Sequence, residues 1–185
     1  MTAPEPSLAG KVSRIHAALD GERIAHAFGG ALALAYYGEP RLTVDIDVNV
    51  FVEAGELDTV MRTLEPLGAG EVERAVRDER DGQVRIWWGR NPVDLFFSYD
   101  AFHDAMKRDA RLVEFGEGRI PILSPEHLIV CKAVFDRAKD WIDIEQMLLG
   151  VAFLDRDEIF SWLERILPAG DRRIERLSGL WAANR

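Results

Sequence analysis

The patterning of the chain predicts an α+β protein in which short strands and helices mix up to about residue 123 and helices alone follow. Three observations carry that prediction. Arg41 to Val50 alternates polar and apolar residues with the two-residue period of a strand. Short β-prone runs at 72–76, 83–88, 93–97, 111–115 and 119–123 are separated by glycine and proline turns. From Ser124-Pro125-Glu126 onward, a helix cap, a proline at the first helical position and an acid in the first turn open a region of helical spacing. The chain is therefore divided into a core of 1–123 and a helical lobe of 124–185.

Taken in order, Ser7 caps a helix whose apolar residues Leu8, Val12, Ile15 and Leu19 share a face, and Asp20-Gly21 ends it. Gly10-Lys11 is no P-loop, because Glu5 stands where the first glycine belongs and Val12 follows the lysine. Ile24 to Phe28 reads as a strand and Ala31 to Tyr37 as a helix, so Gly29-Gly30 falls at the turn between them. After the alternating strand, Leu57, Val60, Met61 and Leu64 mark a helix over 56–67. Asp81-Gly82 and Gly89-Arg90-Asn91-Pro92 separate three further strands, which such short connections make antiparallel. A helix over 101–107, a hairpin of 111–115 with 119–123, and helices over 141–149, 159–167 and 174–181 complete the reading.

The 185 residues are 48% hydrophobic and 30% charged, enough for one core and a small second lobe. With 23 Lys+Arg against 32 Asp+Glu the net charge is −9, which excludes a broad nonspecific grip on duplex DNA but not local contact with a nucleic acid. A single cysteine, Cys131, excludes an intrachain disulfide and a multi-cysteine zinc site, and its place in Leu128-Ile129-Val130-Cys131 reads as core. No run is long and apolar enough to cross a membrane, and the first residues lack the basic start of a signal peptide; a cytoplasmic location is expected.

The chemistry concentrates in a few places. On the alternating strand Thr43, Asp45, Asp47 and Asn49 point one way and Val44, Ile46, Val48 and Val50 the other. Two adjacent carboxylates repel unless a cation lies between them, so Asp45-x-Asp47 reads either as a divalent-metal site or as a solvated sheet face. Gly29-Gly30, ahead of a helix, reads as a phosphate cradle or a plain turn. Asp94 is the one charge in Pro92 to Phe97, so it faces water or shares the cation. Lys132 interrupts an apolar run; if one helix continues through it, Lys132, Asp136, Lys139, Asp140 and Asp143 share a side, as an anion site or as a charged face of i,i+4 pairs. His16, His26, His103 and His127 are dispersed, without zinc-ligand spacing, and read as structural.

With Gly29-Gly30, Arg41-x-Thr43-x-Asp45-x-Asp47, Asp94 and Lys132…Arg137-x-Lys139-Asp140-x-x-Asp143 in that order, the chain resembles the nucleotidyltransferase superfamily over about residues 23–149. Within it, the chain is similar to the AbiEii-like group, which includes toxins of type IV toxin–antitoxin systems. The resemblance implies a palm-like mixed sheet flanked by helices, with a C-terminal helical lobe. It also implies Mg²⁺-dependent transfer of a nucleoside monophosphate from an NTP to an acceptor, with release of pyrophosphate. Carried over by residue, it makes Gly29 and Gly30 the phosphate-binding turn, Asp45 and Asp47 the holders of two Mg²⁺, and Asp94 the third carboxylate. Lys132 reaches the triphosphate, Asp140 sets the site from the helical side, and Arg41, Thr43, Arg137 and Lys139 join the nucleotide-binding set. Many members carry Gly-Ser where this chain has Gly29-Gly30, and the interval from Gly30 to Asp45 is long.

For the acceptor, the resemblance implies the 3′ end of a tRNA. Arg74, Arg77, Arg80, Arg85 and Arg90 with Trp87 and Trp88 supply charge and stacking surface for a single-stranded end, unless the tryptophans belong to the core or a dimer interface. A small-molecule acceptor of the antibiotic type and a non-catalytic binding module are the rival readings. A cognate antitoxin is the protein partner that such systems imply.

Overall fold

The computed structural model describes residues 5–72 and 82–184. Among the described residues seven strands form one mixed sheet: β1 (His26–Phe28), β2 (Ile46–Glu53), β3 (Ala69–Val72), β4 (Gln83–Trp88), β5 (Asn91–Ser98), β6 (Arg111–Phe115) and β7 (Gly118–Ile122), in the order β3-β4-β5-β2-β1-β7-β6. The hairpins β3-β4, β4-β5 and β6-β7 are antiparallel, as their short connections require, and so is β1 with β2. The pairs β2-β5 and β1-β7 are parallel. Four helices accompany the sheet, α1 (Leu8–Gly21), α2 (Gly30–Leu34), α3 (Leu57–Leu64) and α4 (Ala101–Arg108). Four follow it, α5 (Pro125–Phe135), α6 (Ala138–Gly150), α7 (Arg156–Ile166) and α8 (Arg172–Asn184). The α+β architecture expected from the patterning is present. One hydrophobic cluster joins Val12, Ile15 and Leu19 of α1, Ile46, Val48 and Val50 of β2, and Leu128, Ile144, Leu163 and Leu177 of the later helices.

Several elements depart from their expected bounds. The alternating strand starts at Ile46, not Arg41, and Val44, expected on the buried face, is 61% exposed. Before Ile46 side chains shape the backbone in place of a neighbouring strand: the Asp45 amide donates to Thr43 Oγ1 at 3.1 Å, and Asn91 Nδ2 donates to the Val44 carbonyl at 2.8 Å. Asn91 is itself held by Lys11, whose fully buried ammonium donates to Asn91 Oδ1 and the Trp88 carbonyl, both at 2.7 Å, and pairs with Glu5. The helix expected to reach Tyr37 is the five-residue α2. Past it, the hydroxyls of Tyr36 and Tyr37 donate to the carbonyls of Glu114 and Leu123, and Pro40 disfavours helix at Glu39.

The continuous helix drawn through Lys132 and Asp143 is broken at Asp136, whose φ of 54° lies in the left-handed region. Asp136 turns away from Lys132 to accept from Trp141 Nε1 at 2.7 Å and Arg172 Nη2 at 2.9 Å. The remainder of the strand expected over 72–76, Asp81 of the expected hairpin turn, and Arg74, Arg77 and Arg80 lie outside the described residues.

Candidate active site

The cluster is assembled by strand register. In the parallel pair β2-β5, Asp47 lies directly across from Asp94, so their side chains leave the same face of the sheet. Asp45 is two residues before Asp47, just ahead of the strand. Burial, then Asp94, then Asp45 push the Asp47 carboxyl up to about 6, against the opposing pull of Lys132 and Arg137. Asp94 is 4% exposed and is held from the neighbouring strand: Arg85, its partner across β4-β5, donates from Nε to Oδ1 at 2.8 Å and from Nη2 to Oδ2 at 2.7 Å.

Gly29-Gly30 meets the same carboxylates. The Gly29 amide donates to the Asp47 carbonyl at 3.0 Å. Gly30 has φ of +52°, and a Cβ placed on it would lie 1.8 Å from Asp47 Oδ2. Both the turn and the close approach therefore demand glycine.

The helical side supplies the cations. Lys132, 3% exposed on α5, donates to Asp143 Oδ2 at 2.6 Å, while Asp140 Oδ1 stands 3.9 Å away. Asp140 is engaged by Arg137, from Nε at 2.6 Å, Nη2 at 3.1 Å and the backbone amide at 3.2 Å. The break at Asp136 makes this possible, because it starts α6 beside the end of α5. Arg41 Nη2 reaches Asp143 Oδ2 at 3.3 Å, and Arg41 Nε is buried without a hydrogen-bond partner.

All eleven residues singled out by the sequence reach one cleft of about 360 Å³ except Asp140, which lies behind Arg137: Gly29, Gly30, Arg41, Thr43, Asp45, Asp47, Asp94, Lys132, Arg137 and Lys139 line it. Asp100, Phe96, Tyr99, Phe102 and Phe135 line it too. The Arg137 guanidinium sits 4.9 Å from the centroid of the half-exposed Phe135 ring. Cys131 also faces the cleft, and burial pushes its thiol up to about 12, so it offers no thiolate.

Three carboxylates whose mutual repulsion already shows in Asp47 form a hard oxygen donor set, which suits a divalent cation such as Mg²⁺. Arg85 occupies one position on each Asp94 oxygen and Gln83 Nε2 stands 3.5 Å from Oδ1, so Oδ2 keeps a second lone pair for a metal.

The pattern reading missed the partners. Arg85, grouped there with RNA contacts, is the counter-ion of Asp94, and Trp88, offered as stacking surface, is core at 5% exposure. A signal existed: a two-residue turn at Gly89-Arg90 sets Trp88 across from Asn91 and, counting outward, Arg85 across from Asp94. Reading the turn as ending at Pro92 hid that register. Replacing Arg85 with alanine is expected to cost about 2 kcal/mol of stability, less than for a fully buried pair because Arg85 is partly exposed. Urea denaturation in EDTA measures this loss, and Mg²⁺ restores part of it.

No curated protein sequence matches the chain. Among solved structures, the antibiotic-resistance factor ANT(2″)-Ia aligns at 16% identity over 97% of this chain and 94% of its own, with a TM-score of 0.54. The lincosamide antibiotic adenylyltransferase LnuA aligns at 14% identity over 74% of this chain and 94% of its own, with a TM-score of 0.55. An antigenic nucleotidyltransferase-like protein from Paracoccidioides brasiliensis aligns at 17% identity over 99% of this chain and 91% of its own, with a TM-score of 0.52. At such identities these likenesses establish the fold. The family described as nucleotidyl transferase AbiEii toxin, type IV TA system, matches residues 14–178. A match over that span, on a chain with this sheet and these neighbours, makes the protein a nucleotidyltransferase and a member of the AbiEii toxin family.

Proposed function

We propose that the protein transfers a nucleoside monophosphate from an NTP to the 3′ end of an RNA, a tRNA acceptor end foremost, in the cytoplasm and under the control of a cognate antitoxin. The observation that carries the acceptor class is the charge of the cleft. In a chain of net charge −9, its lining holds Arg41, Arg85, Lys132, Arg137 and Lys139 against Asp45, Asp47, Asp94 and Asp100, beside the aromatic faces of Phe96, Tyr99 and Phe135. Once cations neutralise the carboxylates, the remaining positive charge and ring surface favour a polyanion with stacking bases over a cationic acceptor.

In this reading the core of 1–123 brings Asp45, Asp47 and Asp94 with Arg41 and Arg85, and the lobe of 124–185 brings Lys132, Arg137 and Lys139. Asp45, Asp47 and Asp94 hold two Mg²⁺, which when bound supply Lewis-acid activation of the acceptor hydroxyl and charge neutralisation at the triphosphate. With the Gly29 amide held by the Asp47 carbonyl, the Gly30 amide faces the phosphates, and Gly30 lets the chain pass close to Asp47. Lys132, aimed by Asp143, and Arg137, aimed by Asp140, counter charge on the departing pyrophosphate. Arg41, Thr43 and Lys139 complete the phosphate contacts, and the Phe135 ring, backed by Arg137, stacks on a base.

Incubation with each α-labelled NTP, Mg²⁺ and total tRNA is expected to give labelled tRNA, with loss of label when Asp45 or Asp47 is replaced by alanine in a protein that keeps its circular dichroism. Label transferred only to a small molecule, such as an aminoglycoside or lincosamide, overturns the RNA assignment. The absence of Mg²⁺-dependent NTP binding in calorimetry overturns catalysis itself and leaves a binding module.

A further inference from the structure

Outside the cleft, three side chains that share no sequence spacing converge. Asp109 caps the C-terminal end of α4, His127 lies in the first turn of α5, and Glu158 lies in the first turn of α7. One ligand atom from each lies within 4.8 Å of the others, and His127 Nε2 stands 3.1 Å from Glu158 Oε1. None of the three lines the nucleotide cleft.

The second observation is His127 itself. It is fully buried, and neither ring nitrogen has a hydrogen-bond partner of good geometry. A structural histidine in a core satisfies at least one nitrogen, as His26 does on the Ile24 carbonyl at 2.8 Å. Phe102 meets the His127 ring edge-on at 5.4 Å and offers it nothing polar. Burial pushes the imidazole down to about 4, so it is neutral and carries a lone pair for a metal.

We propose that Asp109, His127 and Glu158 form a second divalent-cation site, of the Zn²⁺ class, that ties α4 to the helical lobe through α5 and α7. The imidazole nitrogen selects a borderline cation over Mg²⁺, and two carboxylates beside it complete a three-ligand set with one position left for water. Two carboxylates balance the charge of the ion. Asp109 and Glu158 are half-buried, which leaves an entry path. The positive neighbour is Arg108, paired with Asp109 through Nε at 3.0 Å and Nη2 at 2.5 Å, while Glu126 and Asp155 add negative charge beside Glu158. Arg108 is 66% exposed, so metal entry displaces it into solvent at little cost.

The test is calorimetric titration of Zn²⁺ into EDTA-treated full-length protein in millimolar Mg²⁺, alongside Co²⁺ absorption spectra. One tight binding event is expected, together with a higher melting temperature on Zn²⁺ addition. Glu158→Gln and Asp109→Asn, substitutions at half-buried positions, are each expected to weaken that event at least tenfold and remove the melting shift. The Asp45→Asn/Asp47→Asn protein is expected to retain it, and His127→Gln to abolish the nitrogen-ligated Co²⁺ spectrum. Absence of tight binding, equal binding by Glu158→Gln and Asp109→Asn, or loss of binding in the Asp45→Asn/Asp47→Asn protein overturns the site.

Discussion

Gly30→Ala is expected to lower nucleotidyl transfer about 10³-fold or more in a protein that still folds. The methyl group has no space: its carbon would stand 1.8 Å from Asp47 Oδ2 and 2.5 Å from Asp47 Cγ. Either the carboxylate rotates away from Asp45 and Asp94 or the turn moves away from the strand, and both separate the glycine turn from the carboxylates. The φ of +52° adds about 1 kcal/mol of strain for any L side chain. Global stability therefore falls by only 1–2 kcal/mol, roughly the scale of an ordinary point mutation. The measurement pairs turnover with Mg²⁺-dependent NTP binding and a denaturation curve. Full activity in the alanine variant would show that the contact between Gly30 and Asp47 is not part of the working site. Gly29→Ala, which meets Asn49 Nδ2 at 3.1 Å and no carboxylate oxygen, is expected to be the milder change.

Asp47→Asn is expected to act in opposite directions on activity and on stability. Transfer falls by a similar 10³-fold or more, because the central carboxylate of the cluster is lost. Without metal, however, the folded protein becomes more stable near neutral pH. The carboxyl rises from 3.8 to about 6 on folding because burial and the facing Asp94 and Asp45 oppose its charge. Between those values the folded state binds more protons than the unfolded state, so this group's contribution to stability declines as pH rises. Above about 6 the cost reaches its full size, about 3 kcal/mol for a shift of this extent. Denaturation in EDTA should show the asparagine variant ahead of wild type at pH 7.5, with the difference shrinking towards pH 4. Mg²⁺ should stabilise wild type and leave the variant unchanged. An asparagine variant no more stable than wild type at pH 7.5 in EDTA would remove the claim of uncompensated charge. The same protonation makes metal affinity fall about tenfold per pH unit below 6.

The residues of the cleft were legible because local rules place them. A glycine pair before a helix-prone run, Asp47 on an alternating strand and a lone Asp94 in an apolar one stand out through period and turn chemistry, whereas Asp45 lies just ahead of the strand the alternation placed it on. The hairpin β6-β7 and the strand β4 were readable for the same reason, since alternation and flanking turns bracket them. The condition of one helix continuing through Lys132 fails at Asp136, although helical spacing continues across it. The left-handed turn that stops it is held by Trp141, five residues on, and by Arg172, which lies 36 residues away and outside any helix-length window.

By itself, the amino-acid order determined the α+β class and most of the succession of elements, because these follow from periodicities and turn preferences a few residues long, while the site roles expected of the carboxylates and the glycine pair came from the resemblance to nucleotidyltransferases. The tertiary structure alone decided who faces whom across elements: Asp143 on Lys132, Gly30 against the Asp47 carboxylate, and His127 between Asp109 and Glu158. Those encounters join different elements, and burial of one shared hydrophobic cluster fixes the registers and helix positions that bring them within a few ångströms.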